Sequence, residues 1–260
     1  MDKISRVLVP FDFSEAAKTG LDYAVNFVEK HDDMEIVLCY IAEDPDHHIL
    51  AAEFETTQIN YHNKLKLPMT WVLGQDGLTS SILGIQKEKD IDLIIMGTSG
   101  IKSLDIANTH TSELVLEADC PVIVVPQDAT TFNLKQIGLV LGPNEIDDPK
   151  VLVALLDISR KFNAKVHIIT IEKEPNSYGY TAADEKNENI LQYYLEGFYQ
   201  DHTLIVNPDV REGILNFVSE KDLDMIAILP RNHTKKSAPS KGLLTKELTL
   251  HSTVPILAID

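Results

Sequence analysis

The sequence predicts two α/β domains in tandem, each a parallel sheet with helices on both faces. Three observations predict it. The chain repeats itself at half its length: KDIDLIIM at 89–96 returns as KDLDMIAI at 221–228, and ELVLEADCPVIVV at 113–125 returns as ELTLHSTVPILAI at 247–259. The second copies start 132 residues (221 against 89) and 134 residues (247 against 113) further on, so the repeating object is a whole folded unit and not a solenoid repeat of about 20–50 residues. Short apolar runs alternate with helically periodic stretches through both copies. The runs are continuously apolar, as in strands covered on both faces.

The elements follow in order. RVLVPF at 6–11 reads as a buried strand. Ser14 offers a helix N-cap with Glu15 in the first turn, and Ala17, Leu21, Ala24 and Val28 trace one helical face. IVLCYI at 36–41 is the second strand, and Leu50, Phe54, Thr57, Tyr61 and Leu65 mark a long helix over 46–66. MTWVL at 69–73 is a strand, GQDG at 74–77 a turn, and Leu78, Ile82 and Ile85 begin the next helix. The strand LIIM at 93–96, the GTSG loop at 97–100, a short helix near 110–118 and the strand PVIVVP at 121–126 complete the first copy.

The second copy runs through strands at 137–141, 165–171, 203–206, 225–229 and 255–259. Its helices fall around Val151–Phe162, over 184–200, around Ile214–Val218 and near 243–251. Asp147 and Asp148 stand where negative charge favours a helix start. QDATTFNLK at 127–135 has no period and reads as the linker, which sets the domains at 1–127 and 135–260. Right-handed crossovers are expected, with ligands beyond the carboxyl ends of the strands where strand order reverses. That puts VPFD at 9–12 and GTSG on one rim.

Charge and composition narrow the function. With 23 basic and 40 acidic residues the formal charge is −17, which repels nucleic acid and anionic membranes and favours solubility. No apolar run approaches membrane-spanning length, and MDKISRVLVPF lacks the apolar core of a signal peptide. Cys39 and Cys120 lie in apolar strand contexts without CxxC spacing, which fits buried thiols in a reducing cytoplasm. His47 and His48 are adjacent but have no partner at metal-binding spacing, so no metal site is expected. His110, His167, His233 and His251 are scattered and read as core or surface residues. Ile101-Lys102-Ser103 after Gly100 lacks the preceding glycine of a Walker loop. No Ser-His-Asp or Cys-His arrangement emerges, so no catalytic residue is assigned.

The stretches VLVPFDFSE at 7–15, DLIIMGTSG at 92–100 and CPVIVVP at 120–126 resemble the universal stress protein family. The resemblance extends over both halves and implies five-stranded sheets of order 3-2-1-4-5. It also implies that the last strands, 121–126 and 255–259, pair across a pseudo-twofold axis, as subunits do in single-domain members, making the chain an internal dimer; a further homodimer stays open. In nucleotide-binding members a G-x2-G-x9-G-[ST] loop follows the fourth strand, and an Asp after the first strand accepts hydrogen bonds from adenosine. Glycines there let the backbone approach phosphate oxygens, and the next helix presents free N–H groups.

By this resemblance Asp12 corresponds to that Asp, and Gly97 and Gly100 to the first two glycines. Asn108 stands at the third, followed by Thr109, after seven residues (101–107) instead of nine. Two readings stand: ATP or another adenine nucleotide in the first domain, or a degenerate loop that only joins strand to helix. In the second domain Gly142, Leu229 and Asn232 replace the Asp and the two leading glycines, while Gly242 is kept. Arg231, His233, Lys235, Lys236 and Lys241 make its connector basic, a lure for phosphate or acidic partners or a solvated loop. The function these features imply is a non-enzymatic cytoplasmic stress-response protein acting through a protein or small ligand. The alternative is an adenine-nucleotide-binding regulator, in its furthest form a slow ATPase, built on the loop of the first domain.

Overall fold

The computed structural model describes residues 4–28, 33–43, 46–100, 110–142, 146, 148–174, 181–230 and 242–259. They form two compact units, Ile4–Phe132 and Asn133–Asp260. The first runs β1 (Arg6–Pro10), α1 (Glu15–Val28), β2 (Glu35–Ile41), α2 (His47–Tyr61), β3 (Thr70–Gly74), α3 (Leu78–Glu88), β4 (Leu93–Thr98), α4 (His110–Glu117) and β5 (Val122–Pro126). The second runs β6 (Gln136–Leu141), a 3-10 turn (Pro149–Leu152), α5 (Val153–Phe162), β7 (Lys165–Glu172), α6 (Ala182–Leu195), β8 (Tyr199–Val206), α7 (Val210–Glu220), β9 (Met225–Ile228), α8 (Leu243–His251) and β10 (Ile256–Ala258).

Within the first unit the strand order is β3-β2-β1-β4-β5, and within the second it is β8-β7-β6-β9-β10. Counted inside each unit, both are 3-2-1-4-5, as expected. Their pairings are parallel. Central strands are buried on both faces: Val7, Leu8 and Val9, and Leu93, Ile94 and Ile95, are all at 0% exposure. That burial explains their unbroken apolar sequence.

The best-kept repeat is a structural joint present in both units. Lys89 and Lys221 close α3 and α7 with N–H bonds to Ile85 and Phe217. Asp90 and Asp222 follow in the left-handed region at φ 51° and 48°, which Asp tolerates better than most residues. Asp92 then accepts from Ser5 N, Ser5 Oγ and Arg6 N at 2.7–2.9 Å. Asp224 accepts from Asn133 Nδ2, Lys135 N and Gln136 N at 2.7–2.8 Å. Each carboxylate therefore fastens the start of the unit's first strand to the foot of its fourth. Charge-assisted bonds of this kind are among the stronger ones.

Two predicted boundaries move. The long helix expected over 46–66 stops at Tyr61; Leu65 lies beyond it, in a connector that ends at Pro68, before which helix is disfavoured. The helix expected over 184–200 starts at Ala182, behind a reciprocal cap between Thr181 and Asp184 worth about 1 kcal/mol. It ends at Leu195, and Glu196 turns the chain at φ 51°. The strand expected at 203–206 begins four residues earlier, at Tyr199. Asp201 and His202 disguise it as loop, because their polarity is answered by neighbours that only the fold supplies.

Candidate functional site

β1 pairs with β2 on one side and β4 on the other, so strand order reverses between β1 and β4. Both leading candidates from the sequence lie past or at the carboxyl ends of these two strands, where such sheets bind ligands. Asp12 is exposed, and its Oδ1 accepts from Ser14 N at 3.0 Å. Ser14 Oγ accepts from Ala17 N at 3.2 Å, the N-cap expected for α1. Asp12 thus turns the chain into the helix while presenting its carboxylate to solvent.

Gly97 belongs to β4, not to a loop, and stands opposite Val125 of β5. A Cβ placed on it would lie 1.7 Å from Ala16 O, and one on Gly20 would lie 2.5 Å from Gly97 N. These two glycines let the backbone of α1 rest on the backbone of β4. The glycine at 97 is therefore demanded by packing, whatever else it serves. Gly20 went unremarked in the sequence, although an isolated glycine within a helical pattern is a signal of close approach. Gly100 has φ 63° and donates its N–H to Thr98 Oγ1 at 3.3 Å; that backbone shape favours glycine. Asn108 and Thr109 lie outside the described residues. α4 opens at His110 with Glu113 in its first turn, a favourable place for a carboxylate.

Beside Asp12 the strand ends carry an aromatic cluster. Phe13 sits at φ 64°, an unusual conformation for a bulky residue. Its ring is 4.9 Å from Phe11, 5.2 Å from Phe54 and 5.9 Å from Tyr40. Phe54 of α2 stacks on Trp71 of β3 at 4.8 Å and 7°. The strand ends therefore carry rings toward β2 and the α1–β4 joint toward β4.

The second unit builds its switch point differently. Gly142 is exposed, and a Cβ there would meet none of the described residues within 4 Å. Leu229 follows β9 and, at the 132-residue offset of the flanking repeat, stands where the first unit has Gly97. Gly242 keeps φ 64° at the head of α8. Asn232 and the basic residues Arg231, His233, Lys235, Lys236 and Lys241 lie outside the described residues, as does Asp147; Asp148 caps the 3-10 turn by accepting from Lys150 N at 3.0 Å.

At the opposite ends of the second unit's strands is a polar network that the sequence did not show. His167 Nδ1 donates to Asp201 Oδ1 at 2.7 Å, and its Nε2 is 2.9 Å from Gln136 Oε1. Lys221 Nζ donates to Asp201 Oδ2 at 3.1 Å. Burial pushes the Asp201 carboxyl up, but hydrogen bonds and charge from His167 and Lys221 outweigh it and hold the group below its ordinary value. The network ties three strands and a helix end together.

Cys39 and Cys120 are free and buried, and burial pushes each thiol up to about 12. Among the described residues, no cluster of His, Cys, Asp or Glu is arranged to hold a metal ion, and no helix is long and apolar enough to cross a membrane. The outer sides of α2 and α6 carry open grooves of about 540 and 450 Å³.

A tandem α/β protein whose first unit sets Asp12, Gly97 and Gly100 at the reversal of strand order is the class this geometry defines. The universal stress protein family model matches residues 73–126, the stretch from the end of β3 to the end of β5 that contains Gly97 and Gly100, and the resemblance read from the sequence is borne out there. The whole chain is similar in fold to a universal stress protein from Archaeoglobus fulgidus DSM 4304, with a TM-score of 0.69 and 15% identity over 97% of each chain. It is likewise similar to a putative universal stress protein from Pseudomonas aeruginosa UCBPP-PA14, with a TM-score of 0.63 and 17% identity over 99% of this chain and 94% of that one. The cytoplasmic domain of a prokaryotic cation chloride cotransporter shares the fold at a TM-score of 0.58 and 9% identity over 99% of this chain and 95% of that one. No curated protein matches the chain.

Proposed function

We propose that this is a cytoplasmic stress-response protein that works by binding rather than by turnover, with the crevice of the first unit as its binding half. The observation that carries the reading is the set of residues gathered at the carboxyl ends of β1, β2 and β4, which would wall such a crevice. Its walls are rings (Phe11, Phe13, Tyr40) and a glycine-on-glycine backbone joint, with one exposed carboxylate, Asp12. Such walls offer stacking surface and hydrogen bonds to a ligand. Acid–base or nucleophilic chemistry asks for paired titratable groups at hydrogen-bond range. Cys39 and Cys120 are free and buried, and unpaired thiols fit a reducing compartment.

A second reading has its own support. Gly100 holds the left-handed turn that an anion-cradling loop requires, and it lies at the reversal of strand order with Asp12, so an adenine nucleotide is the ligand this reading names. Acid precipitation of the purified full chain, followed by nucleotide analysis and titration with Mg·ATP, separates the two. Stoichiometric adenine nucleotide establishes the second reading. Its absence, with no heat of binding, leaves a protein partner or another small ligand. Sustained phosphate release above buffer would overturn the binding-only proposal.

A further inference from the structure

We propose that the outward face of α6 is a self-association surface, on which the same face of a second copy of this chain docks antiparallel across a twofold axis. The helix has two faces at helical spacing. Asp184, Asn187, Leu191 and Leu195 are buried on the inner one, where Asn187 Oδ1 accepts from Ile146 N at 2.8 Å. Tyr199 of β8 donates its hydroxyl to Glu188 Oε1 at 3.1 Å, so α6 is fastened to the strand that ends its unit's order. The outer face carries the open groove of about 450 Å³.

Two rows of residues spaced four apart make that groove. Ala182, Lys186, Ile190 and Tyr194 form one, and Glu185, Asn189 and Tyr193 the other. Such rows are the ridges by which helices pack on one another. The groove beside α2 is instead shared with that helix's own connector, at Leu65, Leu67, Pro68 and Met69. Tyr193 is 78% exposed, a large ring of the kind that interfaces gather. It meets Tyr194 edge to face at 5.4 Å and 77°, so the pair holds its shape before a partner arrives.

Charge selects the occupant. The chain as a whole carries −17, yet the two rows hold one acid and one base, Glu185 and Lys186. With the axis between Asn189 and Ile190, each row meets the other row of the second copy. Ile190 then opposes Asn189, Lys186 reaches the ring of Tyr193, and Glu185 reaches the hydroxyl of Tyr194. A cation over a ring and a carboxylate accepting from a phenol are both favourable, and symmetry forms each of them twice. Parallel docking in register would set Glu185 against Glu185 and Lys186 against Lys186, which like charge opposes.

The test is sedimentation equilibrium of the full chain from about 10 μM to about 1 mM, the range expected of an interface below about 1,200 Å². The expected result is a reversible dimer that Tyr193→Asp weakens at least about tenfold, as loss of a central aromatic does. The exposed position leaves the fold of that variant intact, which circular dichroism verifies. Asn189→Cys, beside the axis, should be joined into a covalent dimer by a short bismaleimide. Glu220→Cys, exposed at the end of α7, should not, and the native Cys39 and Cys120 are buried. A wild type that stays monomeric to about 1 mM overturns the proposal and leaves the face to a different protein. A dimer untouched by Tyr193→Asp overturns the surface. A dimer that Tyr193→Asp breaks but that Asn189→Cys does not cross-link overturns the antiparallel register.

Discussion

Replacing Gly97 by alanine tests the joint on which the first unit's crevice is built. The added methyl would lie 1.7 Å from Ala16 O and 2.5 Å from Ala16 C, where an ordinary carbon–oxygen contact needs roughly 3.5 Å. α1 must therefore withdraw from β4 by well over an ångström, or the strand end must buckle. The flexible tip of a side chain could give way cheaply; both offending atoms are backbone. Overpacking costs about 1–3 kcal/mol and occasionally more, and a backbone clash belongs at the upper end. For a unit the size of Ile4–Phe132, about 3 kcal/mol lowers the melting midpoint by roughly 10 °C. Thermal unfolding followed at 222 nm reads it, with Gly142→Ala as control. At Gly142 no atom of the described residues lies within 4 Å of the new Cβ, so that variant should be neutral or slightly more stable. Gly97→Ala within about 1 °C of wild type would refute the packing argument, and the glycine would then be explained by a ligand alone.

Two further outcomes are expected. Gly84 sits in the exposed middle of α3, where a Cβ meets nothing within 4 Å, so Gly84→Ala should stabilise by about 0.5–1 kcal/mol through helix propensity; a chemical-denaturation midpoint that falls would contradict this. The second unit should lose stability in acid in two stages. Burial pushes His202 below its ordinary 6.5 against the opposing charges of Glu188, Asp184 and Asp201; its Nδ1 is buried and has no partner among the described residues, and its Nε2 lies 3.0 Å from Thr170 Oγ1. The unfolded chain then takes up the proton first, and stability falls as pH drops below about 6.5 towards the depressed value. Asp201, also depressed, adds a second loss below about 3.8. Urea midpoints should therefore fall as the pH is lowered from 7 to about 3, and His202→Leu should flatten the upper limb; an unchanged slope in that variant would sink the assignment.

Much of this protein was legible because its information is local or repeated. The apolar runs of β1, β4, β6 and β9 announce strands covered on both faces, and the recurrence of Lys-Asp-x-Asp exposes the duplication. That motif survives for a reason visible in the structure: Asp90 and Asp222 turn the chain, while Asp92 and Asp224 clamp backbone N–H groups. The Ser14 cap and the turn at Gly100 were likewise readable, since each depends on the conformational taste of one residue. The first four residues of β8 were not, because the polarity of Asp201 and His202 imitates a loop. Only the arrival of His167, Lys221 and Thr170 from other elements satisfies it.

The site divides along the same line. Sequence by itself placed Asp12, Gly97 and Gly100 near one another, because residues that follow adjacent parallel strands must share a rim. It was silent on what those residues do there. That Gly97 is held by the carbonyl of Ala16, that Gly20 faces it, and that Phe13 leans over the strand ends were decided by the tertiary structure. Contacts between positions dozens of residues apart leave no period in the chain, and a glycine reads the same whether a phosphate or a helix backbone needs the space.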